Sequence, residues 1–229
     1  MARTRLWQMA GGIVGIALLG LVSVVVADGD VHYEVTITNL TRGQTFTPIL
    51  VASHRAGVTL FTLGAPASSQ LATLAEEGDT GPLTALLAAN PLVQEVTDSG
   101  GLLPPGASTT VLVKARGRFN RISVAAMLIP TNDGFFALNN VPGPDGHEVL
   151  TLFSPAYDAG SEVNDELCAS IPGPNFAECG GPGGGGQPAG GEEGYVHIHA
   201  GIHGIGDLDA SMRDWRNPVA QITIRHVFQ

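Results

Sequence analysis

Residues 31–40, VHYEVTITNL, alternate apolar and polar side chains without interruption. Val31, Tyr33, Val35 and Ile37 fall on one side, and His32, Glu34, Thr36 and Thr38 on the other. An extended strand puts every second residue on one face, so the segment reads as a half-buried strand. Such a strand needs other elements to hide its apolar face. Residues 46–53, 109–115, 121–129, 148–153, 195–202 and 218–227 supply them: short, β-branched runs bounded by Gly, Pro, Asn or Asp. Pro48 argues for an edge position or a late start of the second strand, and Gly117 marks a turn between 109–115 and 121–129.

Two helical stretches interrupt the series. Residues 68–77 place Leu71, Leu74 and Ala75 on one face. Residues 80–89 have Thr80 as a cap, Pro82 in the first turn and a stop at Asn90-Pro91. Both lie in one connection and read as a surface elaboration. No strand–helix–strand alternation follows, which argues against a parallel sheet. The expected fold is all-β, an antiparallel β-sandwich with two short helices in one connection.

The chain has 229 residues, 44% hydrophobic and 14% charged, with 31 Gly and 15 Pro. It is rich in turns yet too apolar for general disorder. Its formal charge is −10, and Lys114 is its single lysine. An acidic chain without a basic stripe is a poor match for a phosphate backbone, so nucleic-acid binding is set aside. Attraction to anionic lipid by charge alone is set aside too, unless a cation intervenes.

Residues 1–8 carry Arg3 and Arg5 and no acid, and an apolar run follows over 9–27. Val25 and Ala27 fit the small positions before a cleavage, giving a start near Asp28. This is the layout of a secretory signal peptide over residues 1–27, with an uncleaved membrane anchor as the alternative. Residues 28–229 are then one exported domain, secreted, periplasmic or at the cell surface. Without Arg3 and Arg5, 9 basic residues face 21 acidic ones, a charge of −12. Export fits Cys168 and Cys179, whose simplest reading is one disulfide closing a short loop. Residues 180–194 hold nine glycines and two prolines and read as a flexible loop. A phosphate cradle would need a Lys-Ser/Thr that does not follow.

Three polar clusters are candidates for chemistry. Residues 131–136, TNDGFF, follow an apolar strand directly. Residues 157–166 gather Asp158, Glu162, Asp165, Glu166 and Asn164, the oxygen donors a hard cation such as Ca²⁺ requires. Gly160 would let that loop turn so that Asp158 and Glu162 face one point. In the third cluster His197 and His199 share one face of a strand, and His203 could join them; three imidazoles suit Zn²⁺ or Cu²⁺. No Gly-x-Ser-x-Gly elbow is present, and neither cysteine reads as free, so catalysis is not expected.

At these clusters the chain resembles the spondin N-terminal domain, in the form of a stand-alone bacterial-type protein. The likeness rests on IPTNDGFF (129–136), YDAGSE (157–162), GIHGIGDL (201–208), Trp215 and NPVA (217–220), with the opening at Tyr33. It runs from about Val31 to Val227. It implies a synaptotagmin-type (C-two-like) sandwich and extracellular adhesion or ligand binding, the partner being an extracellular protein or glycan. It also implies a Ca²⁺-type site at Asp133, Asp158 and Glu162. Glu162 stands where the animal proteins tend to have Asp, which keeps an oxygen ligand on a longer arm. No nucleic acid and, after signal cleavage, no membrane insertion are implied.

Overall fold

The computed structural model describes residues 31–173, 176–180, 184 and 190–228. Residues 1–27, read from the sequence as a signal peptide, and most of the glycine-rich stretch 180–194 lie outside the described residues. Two antiparallel sheets face each other. One has the order β5 (Ser108–Ala115), β1 (Val31–Asn39), β11 (Ala220–Phe228), β8 (Val149–Ser154). The other runs β10 (His197–Ile198), β9 (Ala156–Asp158), β7 (Gly134–Pro142), β6 (Arg121–Ile129), β3 (Leu50–His54), β4 (Val93–Asp98), and β2 (Thr45–Phe46) also pairs with β6. The antiparallel sandwich expected from the sequence is what the chain forms. The narrower synaptotagmin-type likeness remains an implication of the resemblance.

The alternation of β1 is realised as read. Tyr33, Val35 and Ile37 are buried, and their neighbours at 34, 36 and 38 are half-buried. Val35 stands opposite Val111 on one side and Ile224 on the other. This face packs on Val51, Val124, Ala126, Leu128 and Phe136 of the second sheet. Burying one large aliphatic side chain stabilises by roughly 1.5–3 kcal/mol, so this face supplies much of the driving force.

β6 behaves differently. Every residue from Ile122 to Ile129 is buried. Its sequence, RISVAAMLI, shows no alternation because both faces are covered. Even-numbered residues enter the core between the sheets, while Ala125 joins a second cluster with Leu50, Ala52, Phe135 and Ala137. That second cluster is closed by Leu71 and Leu74 of α1 (Ser69–Glu77) and Leu83 and Leu87 of α2 (Gly81–Ala88). The two helices are therefore not a surface elaboration. They form a third layer, because a central sheet with two apolar faces needs cover on both.

Local details follow the same chemistry. Ser68 caps α1, accepting from the Leu71 N–H at 3.2 Å, and Gly78 closes it in the left-handed region. Thr80, expected to cap α2, makes no side-chain cap bond. Asp79 takes that role, its Oδ1 accepting from the Gly81 N–H at 2.8 Å. The strand expected at 195–202 is confined to His197–Ile198. Cys168 and Cys179 are bonded, with Cα atoms 5.5 Å apart, as expected. Among the described residues no helix is long and apolar enough to cross a membrane.

Candidate functional site

Three strands converge on one row. Asp158, the last residue of β9, stands opposite Gly134 of β7 and opposite His197 of β10. Asp133 immediately precedes β7, so the loop between β6 and β7 delivers it to the same end of the sheet. Residues 159–166 then fold back over this end. Asp133, Asp158, Glu162 and Glu166 are all buried, which is rare for carboxylates unless they are paired or bound.

Each carboxylate has its own arrangement. Asp133 Oδ2 accepts from the Ser161 N–H at 2.8 Å, the Glu162 N–H at 3.1 Å and the Ser161 hydroxyl at 3.3 Å. Asp133 Oδ1 is buried and has no hydrogen-bond partner. Asp158 Oδ1 accepts from the Gly160 N–H at 2.7 Å, and Oδ2 from the Asn164 amide at 2.7 Å. The same Asn164 amide also donates to Glu193 Oε1 at 3.4 Å. Glu162 is drawn in through its backbone N–H on Asp133.

Gly160 is required twice over. Its φ is +65°, and a Cβ there would lie 2.3 Å from the Tyr195 carbonyl oxygen. The backbone at Gly160 thus lies directly on the segment leading into β10, with the Gly194 N–H donating to the Gly160 carbonyl at 2.8 Å.

The electrostatics follow from burial. Asp133 is pushed up to about 7, by desolvation first and then by the charge of Asp158, while the N–H donors of Ser161 and Glu162 oppose the rise. Asp158 is also raised, by desolvation, against the pull of Asn164, Gly160 and His197. The two aspartates therefore sense each other, as two carboxylates sharing one site do.

The histidines divide. His197 is partly exposed, with Nδ1 3.6 Å from Asp158 Oδ1. His199 is buried, and its Nδ1 accepts from the Gly201 N–H at 3.0 Å. A backbone N–H can only donate, so the neutral ring carries its proton on Nε2, which leaves that nitrogen no lone pair for a metal. Nε2 lies 4.0 Å from Asp158 Oδ2 and has no hydrogen-bond partner. Desolvation, with the charges of His197 and His203, lowers His199 to about 4. His203 is exposed and donates its N–H to Glu166 Oε1 at 2.6 Å.

Among the described residues, one group of three Asp, Glu, His or Cys side chains brings its ligand atoms within 4.8 Å of one another: Asp158, Glu193 and His197. It shares only Asp158 with the carboxylate trio and only His197 with the histidine trio. Glu193 was not singled out from sequence, because it sits in a glycine-rich stretch that reads as a linker. Two adjacent acids in such a stretch were the available signal. Glu166 has a structural role. Its carboxylate spans the N–H groups of His203, Gly204 and Ile205 at 2.6, 2.7 and 3.0 Å, which orders the Gly-Ile-His-Gly-Ile stretch.

Residues 36–142 match the family model Spondin_N, in agreement with the resemblance read from the motifs. The matched stretch opens within β1 and closes at the end of β7. It includes Asp133 and ends before Asp158, Glu162 and His197. No curated protein matches the chain.

Proposed function

We propose that this spondin-type protein is an exported, non-catalytic binding module that holds Ca²⁺ at Asp133, Asp158 and Glu162 and engages an extracellular protein or glycan at that end. The observation that carries the reading is Asp133 Oδ1, buried without a hydrogen bond beside a second buried carboxylate. A buried acceptor left unsatisfied costs about 1–3 kcal/mol, and more when charged. A divalent cation offsets that cost and the repulsion from Asp158 together. The donors are all oxygens, which suits a hard cation; backbone carbonyls and waters would complete its six to eight ligands. Export is supported by the disulfide and by the signal-like residues 1–27.

Titration with Ca²⁺ followed by calorimetric melting tests the reading. Saturable binding and a lower melting temperature in chelator are expected. No binding at millimolar Ca²⁺, with no chelator effect, sinks it.

A second reading rests on the group formed by Asp158, Glu193 and His197. A mixed nitrogen and oxygen set suits Zn²⁺ or Cu²⁺ better than Ca²⁺. Under that reading Glu193→Gln and His197→Ala abolish Zn²⁺ binding. Under the Ca²⁺ reading both variants keep the Ca²⁺ response.

A further inference from the structure

Opposite the acidic end, the sequence changes character. From residue 99 to residue 132 there is no acid, while Lys114, Arg116, Arg118 and Arg121 all fall in this stretch. Arg121 begins β6, and the strand's far end leads to Asp133. At about 3.3 Å per residue the two ends of β6 stand roughly 26 Å apart. The domain is therefore polar, basic at one end of its central strand and acidic at the other.

The basic end contains a cleft of about 490 Å³ lined by Arg55, Arg118 and Arg121, with Asn120, Gly117 and Leu92 between them. No carboxylate lines it. Three elements build it. Arg55 follows β3, Gly117, Arg118 and Asn120 belong to the turn between β5 and β6, and Arg121 pairs with His54. Arg55 is fixed with its guanidinium over the Phe119 ring, 5.0 Å from the centroid. Its Nε is buried and lacks a hydrogen-bond partner.

The charge partners make the contrast clear. Arg213, Arg216 and Arg225 each bond to a carboxylate, on Glu178, Asp214 and Glu34 respectively. Among the described residues Arg55, Arg118 and Arg121 have none within 4.0 Å. Asp145 lines an adjoining groove with Tyr33, Arg116 and His226 instead. Three unneutralised guanidiniums, one held rigid on an aromatic ring, repel one another unless an anion joins them. Planar forks of N–H donors match the oxygens of sulfate, phosphate or carboxylate.

We propose that the cleft formed by Arg55, Arg118 and Arg121 is a binding site for a compact oxyanion: a sulfate, phosphate or carboxylate group, free or carried on a small ligand. The net charge of −10 disfavours a long polyanion, which the rest of the surface repels. A compact group reaches the basic end without meeting that repulsion. The cleft is wider than one such group, which leaves space for a sugar ring or a comparable body beside it. This site does not depend on the cation reading, since no residue is shared.

Calorimetric titration of the full chain with sodium sulfate, sodium phosphate, glucuronate and, as a neutral control, glucose tests the proposal at constant ionic strength. Saturable binding of at least one oxyanion and none of glucose is expected. Glucuronate binding well ahead of sulfate and phosphate identifies a carboxylated sugar as the preferred form; equal binding of all three identifies the bare oxyanion. Arg118→Gln, at an exposed position, raises Kd by about tenfold, the loss expected when one charge-assisted contact goes. Arg121→Gln does the same, and Arg216→Gln leaves Kd unchanged. Kosmotropic salts stabilise any fold, so a melting shift equal in wild type and Arg118→Gln marks a general salt effect and overturns the proposal. Absence of saturable binding to all three anions overturns it as well.

Discussion

Asp158 and His197 face each other across the β9–β10 pair, with Nδ1 3.6 Å from Oδ1. On its other side Asp158 faces Gly134, where a Cβ would lie 2.8 Å from Thr131 Oγ1 and 3.0 Å from the His199 ring. The buried acid thus lies between an imidazole and a second buried carboxylate, Asp133, that repels it.

Replacing Asp158 by Asn removes the repulsion but keeps the shape. Oδ1 still accepts from Gly160, while the new amide nitrogen meets the Asn164 amide that formerly donated to Oδ2. Gain and loss are each about 1 kcal/mol, so the Ca²⁺-free variant should stay within about 1 kcal/mol of wild type. The Ca²⁺ response should vanish. At a hundredfold excess over Kd, wild type gains about 2.7 kcal/mol. Melting of both proteins with Ca²⁺ and with chelator checks this. An undiminished Ca²⁺ shift in Asp158→Asn removes the aspartate from the site.

Glu166 supports a different prediction. Its carboxylate satisfies three backbone N–H groups in a buried setting. Glu166→Ala leaves those donors without an acceptor and should destabilise by roughly 3 kcal/mol or more. Glu166→Gln keeps one acceptor oxygen but turns an amide N–H toward a donor, so it should fall between the two. Urea unfolding of the three proteins gives the order directly. Equal midpoints would mean that the 203–205 stretch holds itself.

How much of this was legible in sequence depends on the range of the contacts. β1 was legible because its alternation records one buried face. β6 was visible as a strand, but its two buried faces carry no sign of what covers them; Leu71 and Leu74 were seen as a helix face without a destination. Asp158 and Glu162 stood out because they lie four residues apart around a glycine, and Asp133 because it sits in the IPTNDGFF stretch that carries the resemblance. The row Gly134–Asp158–His197 was hidden, since β9 and β10 have three and two residues and show no periodicity. Arg55 and Arg121 meet only through the β3–β6 pairing, so the basic cleft could not be read from local spacing.

A pH dependence follows from His54, which is fully buried. Its Nδ1–H donates to the Arg55 carbonyl at 2.8 Å, and Nε2 accepts from the Ser123 hydroxyl at 2.8 Å. Desolvation first, and the Arg121 charge after it, hold its pKa below the usual value of 6.5, against the Arg55 carbonyl. The unfolded chain therefore binds this proton more readily. The contribution to stability is complete above about pH 6.5 and is lost as pH falls through the lower folded value. Asp133, raised to about 7, acts in the opposite direction and His199 in the same one, but both are common to wild type and a non-titrating His54→Gln variant. The difference in unfolding free energy between wild type and that variant should therefore fall as pH drops from about 6.5 to 5. Parallel profiles would assign the slope to other groups.

Gly160 gives the sharpest test of how the site is assembled. Its φ of +65° already disfavours any side chain, at about 1–2 kcal/mol. A Cβ would also lie 2.3 Å from the Tyr195 carbonyl oxygen and 2.6 Å from its nitrogen, so the two backbones must separate. That movement would pull the Gly160 N–H from Asp158 and shift Ser161 and Glu162 away from Asp133. Gly57 supplies the comparison: its φ is +97°, yet a Cβ there meets nothing within 4 Å. Gly57→Ala should therefore register backbone strain alone, about 1 kcal/mol. Gly160→Ala should add the steric displacement and reach roughly 3–4 kcal/mol, with the Ca²⁺ response lost even where the protein remains folded. Chemical denaturation of the two variants, each with and without Ca²⁺, separates the terms. Equal destabilisation in both, with the Ca²⁺ response intact in Gly160→Ala, would mean that the 159–162 segment is free to move off Tyr195 and that the carboxylates do not depend on it.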